Sequence, residues 1–356
     1  MTMLAEITTC VIGVDPDKAR IQVAAIDSAT NGELGTESFP NTPDGHDAAM
    51  AWADAYADAG SRAWAIEGSG SYGSPLARSL RAVGEWAIDF SFPTQPPAPD
   101  GAKSDHLDAV RAGRETLGRT KLVSPRASGD GAQGAIRALM AARRSMVRSR
   151  TCHINAVKAA VMCAPEDIIS ELEGLSTAAL IKRCAGFRIA SSAGPCDEIA
   201  ATKRALRSQA RAIRSLETEI AELTDAIAAH VEHVAPELLD ENGIGPVTAG
   251  QLLVSWGYKG RIHTEAAWAR LAGVAPITAT SGQNQTRHRL SRSGDRALNC
   301  AIHTIALCRA RNDPATRAYI DKKTAEGKTT REARRCLKRH IARRLYRILE
   351  NLDTTP

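Results

Sequence analysis

Four carboxylates in the first third of the chain have the types and places that divalent-metal chemistry needs. Asp15 closes the apolar run Val11-Ile12-Gly13-Val14, and Glu67 closes Ala63-Trp64-Ala65-Ile66. Asp105 and Asp108 stand three apart in Lys103-Ser104-Asp105-His106-Leu107-Asp108, a spacing that shares one helix face. Mg2+ takes hard oxygen ligands and keeps several waters. Two such ions beside a phosphodiester stabilise both the attacking and the leaving oxygen, so Mg2+ or Mn2+ is the expected cofactor. Each acid also has a structural alternative, since carboxylates favour the first turn of any helix and Asp15 could be the turn residue before Pro16. The eight cysteines, at positions 10, 152, 163, 184, 196, 300, 308 and 336, form no Cys-x-x-Cys pair. Reduced thiols and an oxygen-held metal are therefore expected.

A second constellation lies near the other end. Ser281-Gly282 precedes Arg287, Arg289, Arg292 and Arg296, and Ser293 sits in Arg292-Ser293-Gly294-Asp295. A serine hydroxyl is a weak nucleophile unless a base, a metal or nearby cations stabilise the charge that develops, and arginines suit a phosphate in that role. By itself a Ser-Gly pair reads as a turn. The net charge of +6 conceals an asymmetry, because Ser281 to Arg347 holds 18 Lys and Arg against 5 Asp and Glu. An acidic body with a basic end points to nucleic acid, with a solvated basic helix as the alternative. Aromatic residues are only 4%, too few for base-stacking platforms. His340, Arg343 and Tyr346 fall on one helix, so Tyr346 is not placed as a recombinase nucleophile, and Arg343 is expected on a DNA- or RNA-facing surface. Asn242-Gly243-Ile244-Gly245-Pro246 resembles the hairpin of helix-hairpin-helix modules. There the amides of Gly243 and Gly245 would hold a DNA phosphate; a plain helix entry is equally open.

The elements that must position these groups follow from periodicity. Thr9 to Asp15 and Arg20 to Asp27 are β-branched runs around Pro16-Asp17-Lys18, which suggests a hairpin. Helices are expected over Pro43 to Ala59 and Pro75 to Val83, strands over Ala63 to Glu67 and Trp86 to Phe92, and a further helix from near Ser104, giving a mixed sheet covered by helices. Apolar spacing marks a long helix from Ile136 to Val161. Ile199, Leu206, Ile213, Ile220, Ile227 and Val234 recur every seven residues, with Leu216 and Leu223 between them, a coiled-coil seam that serves either an oligomer or an intramolecular bundle. Helices also fit Val247 onward, Thr264 to Leu271, Asp295 to Arg311, Pro314 to Ala325 and Thr330 to Leu349, with a loop or hairpin over Ala272 to Arg289. Trp52, Trp64, Trp86, Trp256 and Trp268 fall on apolar patterns and read as core.

A terminal Asp on one strand, a terminal Glu on another and then a D-x-x-D helix is the order of an RNase H-like fold with a RuvC-type DEDD site. The chain resembles the insertion-sequence-110 family of DEDD transposases, related to the pilin-gene invertase. The resemblance rests on VIGVDPDK (11–18), AIEGSGSYG (65–73), KSDHLDA (103–109), GIGPVTA (243–249), WARLAGVAPITATSGQ (268–283) and RSGDRALN (292–299). His106 departs from the small or basic residue common there. The resemblance implies an α/β plus all-α architecture: a RuvC-like catalytic domain over 1–125, a helical and coiled-coil assembly region over 126–238, and a C-terminal domain with the serine motif and basic helices over 239–356. It implies that Ser281 forms a covalent 5′-phosphoserine link to DNA beside metal held by Asp15, Glu67, Asp105 and Asp108. It also implies donor and target DNA, a structured bridge RNA and a homo-oligomer, dimer or tetramer, as partners.

Two other functions compete. A junction-type endonuclease would use the same acids with water as nucleophile, and a non-catalytic assembly protein would use neither acids nor serine. A sugar-kinase-like enzyme lacks the Gly-rich phosphate loops it would need, and no Walker-type loop is present. The first ten residues carry no basic and apolar leader, and no run approaches the roughly 18 apolar residues of a membrane span. A cytoplasmic protein that meets no membrane is expected.

Overall fold

The computed structural model describes residues 3–90, 104–125, 131–189, 194, 197–278, 288–290 and 294–352. Chain contacts divide it into two compact units, 1–130 and 131–356.

In the first unit the two β-branched runs become β1 (Cys10–Pro16) and β2 (Arg20–Asp27), and they form the expected hairpin. With β3 (Glu33–Pro40), β4 (Arg62–Glu67) and β5 (Ala87–Phe90) they make a sheet of order β3-β2-β1-β4-β5. The first three strands are antiparallel, whereas β4 runs parallel to β1 with Val14 opposite Ile66, and β5 runs parallel to β4. The strand β3 is absent from the sequence reading. Its eight residues, ELGTESFP, lie mostly exposed on the sheet edge, so the apolar alternation that marks a strand is missing there.

Strand periodicity sorts the side chains onto two faces. Ile12, Val14, Ile21, Val23, Trp64 and Ile66 pack on α1 (Pro43–Ala53) and α2 (Ser74–Ala82). Val11, Ala24, Ile26, Ala63, Ala65 and Ile88 pack on α3 (Asp105–Leu117). On that second face α3 sits against the backbone of β1. A Cβ added to Gly13 would lie 2.0 Å from the carbonyl oxygen of Ala109 and 2.6 Å from the nitrogen of Gly113. Only glycine permits that approach, and Ala109, Ala112 and Gly113 keep the helix side of the contact equally small.

The second unit is built on two long helices, α4 (Gly131–Met162) and α7 (Glu198–Val234). Arg143 Nε donates to Thr224 Oγ1 at 2.8 Å, and His153 bonds Gln209 further along, so the pair is antiparallel. Leu206, Ile213, Ile220 and Ile227 of the heptad row thus bury within the chain, the second of the two uses its spacing allowed, while Ile199 stays exposed. Gln209, which interrupts the companion row, is matched by a polar partner on α4. At one end Val157, Leu206, Ala210 and Ile213 pack with α5 (Glu166–Leu172) and α6 (Thr177–Ala185). At the other, Ile136, Met140, Ile227 and Val231 join α8 (Pro236–Leu239), α9 (Pro246–Trp256), α10 (Glu265–Leu271), α11 (Arg296–Asn312), α12 (Pro314–Ala325) and α13 (Thr330–Asn351) around the buried Trp256 and Trp268. A short hairpin of β6 (Pro276–Thr278) and β7 (His288–Leu290) leaves this core after α10. Of the five tryptophans, Trp64, Trp256 and Trp268 are fully buried and Trp52 partly so, while Trp86 is exposed.

Ion pairs tie α13 to this body. Glu241 accepts from Arg344 at 2.6 Å and from Arg309 at 3.0 Å, and Glu265 pairs with Arg339 at 2.5 Å and Arg343 at 3.0 Å. Burial pushes both carboxyls up, but the arginine bonds and charges outweigh it and hold both below the usual carboxylate range. Groups with depressed folded pKa values stabilise the fold above the unfolded pKa and lose that contribution as pH falls through the folded value.

Two outcomes follow. Gly13→Val should cost about 3 kcal/mol or more through overpacking and lower the first transition in a thermal melt by about 10 °C or more; an unchanged melt would show that α3 is not seated on β1. The second unit should lose stability as pH falls below about 4, and Glu241→Gln should flatten that fall in acid-titrated denaturant melts, whereas an unaltered slope would exclude the ion pair as its source.

Candidate metal site and nucleic-acid interface

The carboxyl ends of β1 and β4 lie side by side. Because Val14 pairs with Ile66 in a parallel ladder, Asp15 and Glu67 are the next residues on neighbouring strands. Both continue the odd-numbered face that packs on α3, the face of Val11, Gly13, Ala63 and Ala65. Both are half-buried and carry further interactions. The direction of α3 brings the remaining pair of acids to this region. Its middle rests on Gly13, and just past its far end the carbonyl of Arg119 accepts from the amide of Leu4, upstream of β1. The first turn, with Asp105 and Asp108, therefore lies on the side of Gly13 where the chain continues to Asp15.

Asp15 and Glu67 share one end of one sheet face, whereas the first turn of α3 is tied by His106 to Glu33, whose partner across the ladder is Ile26. Among the described residues no group of three or more His, Cys, Asp and Glu side chains is placed to hold a metal ion. The tethers of α3 supply the physical reason. His106 Nε2 stands 2.9 Å from Glu33 Oε1 on the outer strand β3, which draws the first turn toward that edge, and Asp108 lies 3.8 Å from Arg111 of its own helix. His106 thus has a structural partner that its position in the motif did not suggest.

In the second unit the proposed nucleophile, Ser281, lies outside the described residues, as do Arg287, Arg292 and Ser293. Arg289 falls in β7, opposite Ile277. The two ends of this serine-bearing segment are held together. Asp295 caps α11, accepting from the amides of Ala297 at 2.8 Å and Leu298 at 3.0 Å, and its own amide donates to the carbonyl of Leu271. Its other oxygen accepts from Ser255 Oγ at 2.6 Å, which accepts from Gln251 Nε2 at 2.9 Å, whose Oε1 accepts from Arg144 at 2.9 Å. Asn299 Nδ2 donates to the carbonyl of Ala272 at 2.6 Å and its Oδ1 accepts from Lys338. Gly294, with φ of 109°, abuts the carbonyl of Leu271 at a distance no Cβ could share. Asp295 and Asn299 were not singled out from the sequence, although an Asp after Gly at a helix start is a capping signal.

The remaining basic and glycine positions divide by partner. Arg343 is engaged by Glu265, and Arg296 is exposed at the start of α11. Gly243, with φ of 78°, packs on Arg309, whose Nε donates to the carbonyl of Asn242 at 2.6 Å. The amide of Gly245 donates to Thr248 Oγ1 at 3.0 Å, so that donor is already used. Free charge gathers instead where α11 and α13 meet. Arg334 and Arg335 are exposed and form no ion pair among the described residues. Burial and then the charges of Lys338 and Arg334 hold the pKa of His303 low, and burial lowers that of Lys338, with Arg335 adding to it.

Comparison with known proteins matches this layout unit by unit. A DEDD transposase model of the IS110 group matches residues 12–162, which include all four acids, and the model of the transposase IS116/IS110/IS902 family matches residues 235–321, which include Ser281. Among similar proteins, the insertion element IS110 43.6 kDa protein of Streptomyces coelicolor is 36% identical over 120 residues, 34% of this chain and 28% of that protein. The insertion element IS900 42 kDa protein of Mycobacterium paratuberculosis is 28% identical over 83% of this chain and 84% of its own length. A probable family 20 transposase of Pseudomonas aeruginosa is 27% identical over 68% of this chain and 71% of its own length. No helix among the described residues is long and apolar enough to cross a membrane. With the acid-bearing sheet and the serine-bearing helical unit each matched in order by a model of the same group, this chain belongs to the IS110 family of insertion-element transposases.

Proposed function

We propose that this transposase cuts and rejoins DNA through a covalent serine link, with Asp15, Glu67, Asp105 and Asp108 holding Mg2+ or Mn2+ and Ser281 as nucleophile. One observation supports the reading: Asp15 and Glu67 end adjacent parallel strands on the face that α3 covers. An RNase H-like sheet of this order is where such acids meet, and a set made only of carboxylates suits a hard cation. The ion would neutralise charge on the phosphate and on the departing oxygen.

The chain's own groups do the rest. Ser281 gives up its hydroxyl proton as Oγ bonds to phosphorus, and the bond from phosphorus to the 3′ oxygen breaks, leaving a 3′ hydroxyl and a 5′-phosphoserine. Attack by the 3′ hydroxyl of another strand returns the phosphate to DNA and the proton to Ser281, so no nucleotide energy source is needed. Arg287, Arg289, Arg292 and Arg296 neutralise the phosphate during both transfers. A bridge RNA paired to donor and target DNA supplies sequence choice, and the chain acts as a dimer or tetramer. The basic patch of His303, Arg334, Arg335 and Lys338 contacts the backbone of these nucleic acids.

Trapping tests the chemistry. Protein with its co-expressed RNA, labelled element-end DNA and Mg2+ should give a denaturation-resistant adduct that disappears in Ser281→Ala and Asp105→Asn. Cleavage that persists in Ser281→Ala without an adduct would establish the water-dependent endonuclease instead. The patch is tested separately: Arg334→Ala with Arg335→Ala should weaken DNA binding across sequences and reduce the slope of log affinity against log salt by about 2, and an unchanged slope would remove the patch from the interface.

A further inference from the structure

The segments that leave Asp15 and Glu67 are joined by one side chain. Asn41, just past β3, donates through Nδ2 to the carbonyl of Asp17 at 2.7 Å and to the carbonyl of Tyr72 at 3.0 Å. Asp17 is two residues past Asp15, and Tyr72 is five past Glu67. Its backbone amide also donates to Ala19, so Asn41 is anchored to the β1–β2 turn before its side chain reaches across.

The orientation of that amide is determined by its surroundings. With both Nδ2 hydrogens taken by carbonyls, Oδ1 must accept, and His46 Nε2 lies 2.9 Å from it. His46 is 1% exposed, and its Nδ1 lies 3.0 Å from Ser79 Oγ on α2. The ring therefore carries hydrogen on Nε2. Burial holds its pKa below the usual value, which favours the neutral ring.

The loop at the other end of the bridge is built to be held. Gly68, with φ of 60°, opens a turn closed by the amide and hydroxyl of Ser71 on its carbonyl, and Ser69 bonds Asp89 of β5. A Cβ on Gly73 would lie 2.6 Å from Ile66 and 3.2 Å from Pro16, so the loop returns directly against the end of β1.

We infer that Asn41, oriented by the buried His46, is a positioning residue that sets the spacing of the segments leaving Asp15 and Glu67, an inference that rests on reading those acids as metal ligands. Ligands must be held to about 0.5 Å to act together, and groups that orient them from behind typically carry a 10- to 100-fold effect on metal affinity.

Full-length protein tests this with two readouts, amide hydrogen exchange over 16–20 and 68–74 and Mn2+ binding by paramagnetic resonance. Asn41→Asp keeps the shape but loses the donor, and His46→Leu loses the orienting group; each should raise exchange in both segments and weaken Mn2+ binding about tenfold. His46→Gln, which can still donate to Asn41, should stay near wild type. Unchanged exchange in either segment would overturn the bridge, and looser segments with wild-type Mn2+ affinity would overturn its positioning role. Looser segments in a protein whose wild type binds no Mn2+ would support the bridge and overturn the metal reading.

Discussion

The first unit depends on the contact between the backbone of α3 and Gly13. A helix can touch a strand this closely only where neither carries a side chain of any size, and Gly13, Ala109 and Gly113 meet that condition together. The consequence is positional. Gly13 lies two residues before Asp15, and Ala109 lies four after Asp105 and one after Asp108, so one steric contact sets where the helix that carries two of the acids rests on the strand that carries a third. A larger residue at any of the three places would shift α3 on the sheet without touching an acid. The same contact also explains why α3 can be short and still carry two of the four carboxylates: its seat, rather than its length, fixes it.

The second unit solves a different problem with polar groups. A segment bearing the serine motif leaves the helical core after α10 and re-enters at α11, and both crossings are stitched by buried hydrogen bonds. Asp295 is used three ways, as helix cap, as acceptor from Ser255 and, through its amide, as donor to Leu271. Buried polar chains of this kind are stable only when each member is satisfied, which the sequence from Arg144 through Gln251 and Ser255 achieves. Along α13 the arginines have divided duties: Arg339, Arg343 and Arg344 hold the helix to Glu265 and Glu241, and Arg334 and Arg335 stay exposed.

Most elements were legible because their patterns were strong. β1, β2 and β4 announced themselves as β-branched or apolar runs, and the heptads from Ile199 to Val234 announced α7. What escaped lacked such patterns. The strand β3 is an exposed edge, and α5 and α6 are two-turn helices whose burial depends on α4 and α7 being in place. Asn41 and His46 gave no signal because their meaning lies in two carbonyls and a hydroxyl 24 to 33 residues away, at Asp17, Tyr72 and Ser79.

By itself the sequence determined the order of the candidate groups: acids at strand ends, then an acid pair on a helix, then a basic region with a serine. Those are local properties, carried by residue type and spacing of up to a few turns. Tertiary structure alone decided which partner each charge meets. Arg343 stands in a basic run, yet its charge is answered by Glu265 from a different helix. The heptad row fits a second copy equally well, yet α4 of the same chain covers it. Ion pairing and apolar burial act between whatever surfaces the fold brings together, and sequence distance carries no record of that choice.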